Sequence, residues 1–129
     1  NFSYLYKNKP FIYNASPNKE VYLCYKNVNE DKFIEVKMDY FKYGMYITIL
    51  PIFYGEDIEY YFVENMESGN ITTKRFFTTN NKKTIYDVND EYFKINNAFI
   101  YTYEGKYDEA EKVIKDIISK DYNLKGKLL

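Results

Sequence analysis

The hydrophobic period of this chain changes once, from about two to nearly four, and that change divides it into two kinds of structure. Phe11 to Ser16 is a short apolar run closed by the turn-formers Pro17-Asn18-Lys19, and Val21-Tyr22-Leu23-Cys24-Tyr25 follows. After a polar loop, Ile34, Val36 and Met38 alternate with Glu35 and Lys37, the mark of a strand with one buried face. Gly44 precedes a run from Met45 to Phe53, which Gly55-Glu56-Asp57 closes. Ile58 to Val63 ends at Glu67-Ser68-Gly69-Asn70, and Ile71 to Thr79 completes the series before Asn80-Asn81-Lys82-Lys83. Six strand-like segments spaced by about a dozen residues and joined by turn chemistry predict an antiparallel sandwich or barrel.

From Asp87 onward the spacing changes. Val88, Tyr92, Ile95, Phe99 and Tyr103 step by four, three, four and four, which draws one apolar stripe on a helix. Asp87, Asn89 or Asp90 suits the N-cap, and Gly105 suits a left-handed C-terminal cap. Ala110, Val113, Ile114, Ile117 and Ile118 form a second stripe. The expected division is therefore 1–83 as sandwich and 84–129 as a helical hairpin, packed on or appended to it.

One feature ties the two parts together. In Met45 to Leu50, Ile47 and Ile49 share one face while Tyr46, Thr48 and Leu50 share the other; Tyr60 and Phe62 likewise oppose Tyr61 and Val63. Burying an Ile or Val is worth about 1.5–3 kcal/mol, so an outer face this apolar calls for a cover. The hairpin is the expected cover and a binding partner the alternative.

The strand segments resemble the bacterial immunoglobulin-like modules, of fibronectin type III or early-set kind. The residues that carry the likeness are Val21 to Tyr25, Ile34 to Met38, Gly44-Met45-Tyr46 through Leu50-Pro51, Glu59-Tyr60-Tyr61-Phe62-Val63 and Gly69-Asn70. The resemblance implies an immunoglobulin-like antiparallel β-sandwich and no activity, because one sandwich hosts many functions. More narrowly, Tyr43-Gly44, Phe53-Tyr54-Gly55-Glu56 and Glu59-Tyr60-Tyr61 before a helical end resemble the C-terminal region of very large clostridial proteins of unknown function. The hairpin is similar to a single tetratricopeptide repeat: Ala98, Tyr101, Gly105, Tyr107, Ala110 and Ile114 fall at its spacing, and Asp121-Tyr122-Asn123 stands where it closes. Asn97, Ile117 and Tyr122 depart from that repeat, and a lone copy serves better as a buttress than as a peptide receptor.

Composition narrows the chemistry. The chain has no histidine, which removes Ser-His and Cys-His nucleophile pairs and the commonest metal ligand. Cys24, the single cysteine, lies within an apolar strand and reads as a small buried hydrophobe. Glu30-Asp31, Glu56-Asp57, Glu64 and Glu67 fall in or beside loops and read as solvated turn residues, without a calcium-loop spacing. The five glycines form no phosphate-binding run. A net charge of −1 gives no field for nucleic acid, and the basic group Lys74, Arg75, Lys82 and Lys83 beside Phe76 and Phe77 reads as a solvated edge. No apolar run is long enough for a membrane span. The sequons Asn14-Ala15-Ser16 and Asn70-Ile71-Thr72 read as chance in an Asn-rich chain.

Seventeen tyrosines and ten phenylalanines in 129 residues, with abundant Asn, Lys and Ile, fit an AT-rich bacterial genome. Tyr40, Phe41 and Tyr43 beside Gly44 are the aromatic residues placed to present a binding platform in the connection between two strands. Because the chain opens at Asn1 rather than Met, it is expected to be part of a longer protein. The expectation is a non-catalytic accessory or interaction module without cofactor or metal. Its partners would be proteins or neighbouring domains, with a carbohydrate-binding module as the alternative. The cytoplasm and the cell surface are not separated by anything in the sequence.

Overall fold

The computed structural model describes residues 6–79 and 91–120. The strands are β1 (Tyr6–Asn14), β2 (Glu20–Asn27), β3 (Ile34–Lys37), β4 (Asp39–Tyr40), β5 (Met45–Phe53), β6 (Asp57–Asn65), β7 (Ile71–Thr72) and β8 (Phe76–Thr79). The helices α1 (Glu91–Tyr103) and α2 (Tyr107–Lys120) follow. One sheet, A, has the order β1-β5-β4; the other, B, has β3-β2-β6-β7, with β8 also on β6. Every pairing is antiparallel. The protein is thus mainly β, two antiparallel sheets followed by a helical hairpin.

The core between the sheets is aromatic. Phe11 and Tyr13 of β1 meet Tyr60 and Phe62 of β6 with ring centroids 4.9 and 5.4 Å apart. Val21 and Leu23 of β2 lie opposite Glu64 and Phe62 and fill the same layer. In β6 the alternation is strict: Ile58, Tyr60, Phe62 and Glu64 are buried, the residues between them half-buried. Strand β1 breaks the rule, since Pro10, Phe11, Ile12 and Tyr13 are all buried in succession. With Phe11 and Tyr13 turned to sheet B, Pro10 and Ile12 must face the other way, together with Ile47 and Ile49 opposite them.

The hairpin fills that outer layer. Ile95, Ala98, Ile114 and Ile117 belong to one core cluster with Ile12 and Ile47. The two fully buried alanines, Ala98 and Ala110, let the helices approach closely. Gly105 has φ +80°, the left-handed conformation that ends α1. The apolar stripe of α1 is shifted from its expected course: Ile95 and Ala98 are buried and Phe99 is partly so, whereas Tyr103 is 97% exposed at the helix end. Val88, Asp87, Asn89, Asp90, the 80–83 loop and Asp121-Tyr122-Asn123 lie outside the described residues, as does the Tyr92 side chain.

Three local readings change. The last expected strand is split in two, because the chain bulges between β7 and β8. There Phe62 N–H donates to Thr73 Oγ1 at 3.0 Å, and Thr73 Oγ1 donates to the Lys74 carbonyl at 2.9 Å. Ile34, expected inward, is 51% exposed on edge strand β3. At Met38, whose N–H donates to the Val21 carbonyl at 2.8 Å, the chain leaves sheet B for sheet A, and β4 is a short strand that periodicity could not show.

Candidate functional site

Tyr40, Phe41 and Tyr43 lie in the tight β4–β5 connection. Met45 N–H donates to the Lys42 carbonyl at 3.0 Å, closing a turn in which Tyr43 (φ +58°) and Gly44 (φ +82°) are both left-handed. Positive φ at both central residues is the requirement of a type I′ hairpin turn, whose twist matches its strands. Gly44 is needed for a second reason: a Cβ there would lie 3.3 Å from Asn14 Nδ2 and 3.4 Å from the Ala15 carbonyl. For Tyr43, a non-glycine residue, the left-handed backbone is strained, and its side chain reaches the start of α2.

The three aromatic side chains are engaged differently. Tyr40 leans edge-on against Tyr46 (4.9 Å), and its hydroxyl accepts the Gly44 N–H at 3.1 Å. Phe41 packs edge-on against Phe99 of α1 at 4.8 Å. Tyr43 donates its hydroxyl to the Tyr107 carbonyl at 3.4 Å, where α2 begins, while the Lys42 ammonium lies 5.0 Å from the Tyr107 ring centre. The loop therefore clasps the hairpin with two of the three rings, and the set does not form one flat platform.

Beside the clasp lies an open groove of about 430 Å³. Its walls are Val36, Lys37 and Asp39 on one side and Ile47, Thr48 and Ile49 on the other, with Tyr40, Phe41 and Phe99 at the end. It exists because β3 and β4 are consecutive yet belong to different sheets: the chain forks away from β5 once past the pair Asp39–Ile47. Tyr40 and Phe41 line this groove; Tyr43 does not.

Sequence reasoning missed two other arrangements. On the outward face of sheet B, the Arg75 guanidinium stacks 4.5 Å from the Phe33 ring centre and 4.9 Å from that of Tyr61. The same guanidinium bonds Glu59 Oε2 at 2.8 Å, and Lys26 Nζ reaches Glu59 Oε1 at 3.2 Å. Arg75 and Lys26 hold the Glu59 carboxyl below its ordinary range. Cys24 is buried under this cluster, and burial raises its thiol pKa, as expected for an inert thiol. The second arrangement is interior: Tyr13 donates its hydroxyl to Glu64 Oε1 at 2.7 Å, both residues being buried. Burial first, and then that bond, push the Tyr13 pKa well above its ordinary value. The signal for Glu64 was present, since it occupies the inward register of Ile58, Tyr60 and Phe62.

The loop acids hold turns. Glu56 accepts the Phe53 N–H at 2.6 Å, and Asp57 accepts the Thr79 hydroxyl at 2.7 Å. Glu30 and Asp31 are exposed in the loop after β2. Of the basic group, Lys74 lies over the buried Phe76 ring at 5.7 Å and Phe77 is 66% exposed; Lys82 and Lys83 fall outside the described residues. Among the described residues no group of three or more His, Cys, Asp or Glu could hold a metal ion, and no helix is long and apolar enough to cross a membrane.

Residues 1–127 match the family described as "Family of unknown function (DUF5717) C-terminal". The chain belongs to that family. The match fits the narrower resemblance read from the sequence in two respects: a C-terminal position and an unknown function. Neither the curated proteins nor the solved structures gave a match.

Proposed function

We propose that this chain is a non-catalytic interaction module at the end of a larger bacterial protein of the clostridial kind it resembles, built as an immunoglobulin-like sandwich braced by its hairpin. Support for the immunoglobulin-like reading comes from the strand order. Taking β1 as strand B, sheet A runs B-E-D and sheet B runs C′-C-F-G, the arrangement of that fold. Membership of a C-terminal family supports the larger parent chain.

The observation that carries the interaction reading is the fork groove. The hairpin shares one core with Ile12 and Ile47, yet Ile47, Ile49 and Phe99 still border an apolar-walled opening of about 430 Å³. Small-molecule and peptide sites share this form, concave and apolar with a few polar groups at the rim. A photo-crosslinking side chain at the exposed Lys37 position of the parent protein tests it, with Tyr103, 97% exposed at the end of α1 and outside the groove, as control. Crosslinks from position 37 to a defined protein segment, and none from position 103, support the module. Crosslinks from neither position count against it.

The carbohydrate reading uses the same groove through Tyr40. Tyr40 is 38% exposed, but its ring edge rests on Tyr46 and its hydroxyl is occupied by Gly44. Electrophoresis through gels containing soluble polysaccharides separates the two. Retardation that Tyr40→Ala abolishes would favour sugar.

A further inference from the structure

The backbone of β5 says which kind of partner the groove fits. Met45 N–H donates to the Lys42 carbonyl and Phe41 N–H donates to the Met45 carbonyl, so the main-chain groups of Met45 point toward β4. Main-chain groups alternate along a strand, so Ile47, Ile49 and Pro51 point to that same edge. The partner strand agrees: Ile49 lies opposite Pro10, which has no N–H to offer it. Strand β4 reaches only as far as the pair Asp39–Ile47. Among the described residues, the N–H and C=O of Ile49, in the groove wall, and the C=O of Pro51 beyond it therefore lie on an edge with no strand beside them.

An edge that offers a donor and acceptors above an apolar trough is the receptor for an added strand. The walls carry two opposite charges, Lys37 and Asp39, neither of which has an ion-pair partner among the described residues. We infer that the fork groove binds a short extended segment of a protein partner, which pairs with β5 at Ile49 in continuation of β4 and sets an acidic residue by Lys37 and a basic one by Asp39. This inference rests on the interaction-module reading and names its ligand. Pro51, which has no N–H, ends the accepting edge and keeps the segment short, and the lost donor also discourages unlimited sheet growth.

The probe is the capped hexapeptide Val-Glu-Val-Thr-Val-Lys, titrated to about 10 mM, some ten times a Kd of about 1 mM at the weak end of useful affinity, into the isotopically labelled chain and followed by NMR. The expected result is shifts confined to Val36, Lys37, Thr48, Ile49 and Phe99, with exchange of the Ile49 amide slowed at least about tenfold as that N–H becomes bonded. The same peptide N-methylated at alternate residues, which keeps the side chains and removes the donors, should bind at least about tenfold more weakly, the loss of one to two net hydrogen bonds. Lys37→Glu combined with Asp39→Lys changes only exposed side chains and should weaken the unmethylated peptide by about threefold or more.

No shifts in the groove, or equal binding of the methylated peptide, overturns the inference. So do shifts of the same residues by a soluble hexasaccharide, which would make the groove a sugar site, or shifts on raising protein concentration without peptide, which would make a second copy the occupant. If the peptide fails while crosslinking from position 37 still finds a protein, the module reading stands and only the added strand falls.

Discussion

Both sheets carry apolar residues on their outward faces, and the chain covers them by different means. On sheet A, Pro10, Ile12 and Ile47 are buried beneath two helices, and the helices share one core with the strands. On sheet B, Tyr61 and Val63 are half-buried with no helix over them among the described residues. Phe33, Arg75, Lys26 and Glu59 close over Cys24 and Tyr61 instead, through stacking and ion pairs at 2.8 to 5.4 Å. The first solution excludes water from methyl groups; the second uses charged heads whose stems and planes cover rings while staying wet. Hydrophobic burial of the first kind is worth several times an exposed cation–π contact. The hairpin side should therefore carry stability, and the sheet B face should tolerate change.

Substitutions on the two faces can break that contrast. The largest effect is expected from Ile95→Ala in α1, a fully buried side chain: about 2–5 kcal/mol lost in urea unfolding. A loss below that of the surface variants discussed next would mean that the hairpin is an appendage rather than a second core layer. The interior between the sheets provides a reference. Tyr13→Phe leaves the buried Glu64 side chain without its hydroxyl donor and should cost about 1–3 kcal/mol.

Tyr13 also predicts an alkaline limb. Its pKa is raised in the folded state, so the unfolded chain gives up that proton first, and the stability from the bond is complete below about pH 10. Above that value stability should fall as pH rises toward the folded pKa, and Tyr13→Phe should flatten the fall. An unchanged slope in the variant would assign the alkaline limb to other groups.

The clasp ranks next. Phe41→Ala and Phe99→Ala, combined in a double-mutant cycle, should couple by about 0.5–1.5 kcal/mol, the worth of an edge-to-face pair beyond its buried area. Zero coupling would detach the loop from the hairpin energetically. The smallest effect is expected on sheet B, where Arg75→Ala should cost no more than about 1 kcal/mol. Its clearer readout is Glu59, whose titration should move up toward the ordinary carboxylate range once its main cationic partner is gone. A destabilisation equal to that of Ile95→Ala would erase the distinction between the two faces.

Much of this architecture was legible in the residues. Period two in β6 and the stripe Ala110, Val113, Ile114, Ile117 and Ile118 in α2 state which side is buried, because one side chain in two or in about four recurs on a face. Met45–Phe53 appears in the structure with the bounds its flanking glycines imply. The apolar surplus of Ile47 and Ile49 also foretold a cover. Tyr61 and Val63 carried the same surplus and received a different one, since Phe33 and Arg75 are distant in sequence and meet only across sheet B.

The candidate site was less legible. Tyr40, Phe41 and Tyr43 could be singled out as aromatics at a glycine turn, but their division between groove and clasp depends on where Phe99 and Tyr107 arrive. The fork has no sequence signature either: Met38 leaves one sheet for the other by a single bond to Val21. By itself the sequence determined that strands precede a hairpin, which residues point inward along each element, and that histidine chemistry is absent. Only the tertiary structure decided which edge of β5 lies open and which ring touches which helix. Periodicity is a local property of a few consecutive residues, whereas an edge or a groove is made by segments far apart in the chain.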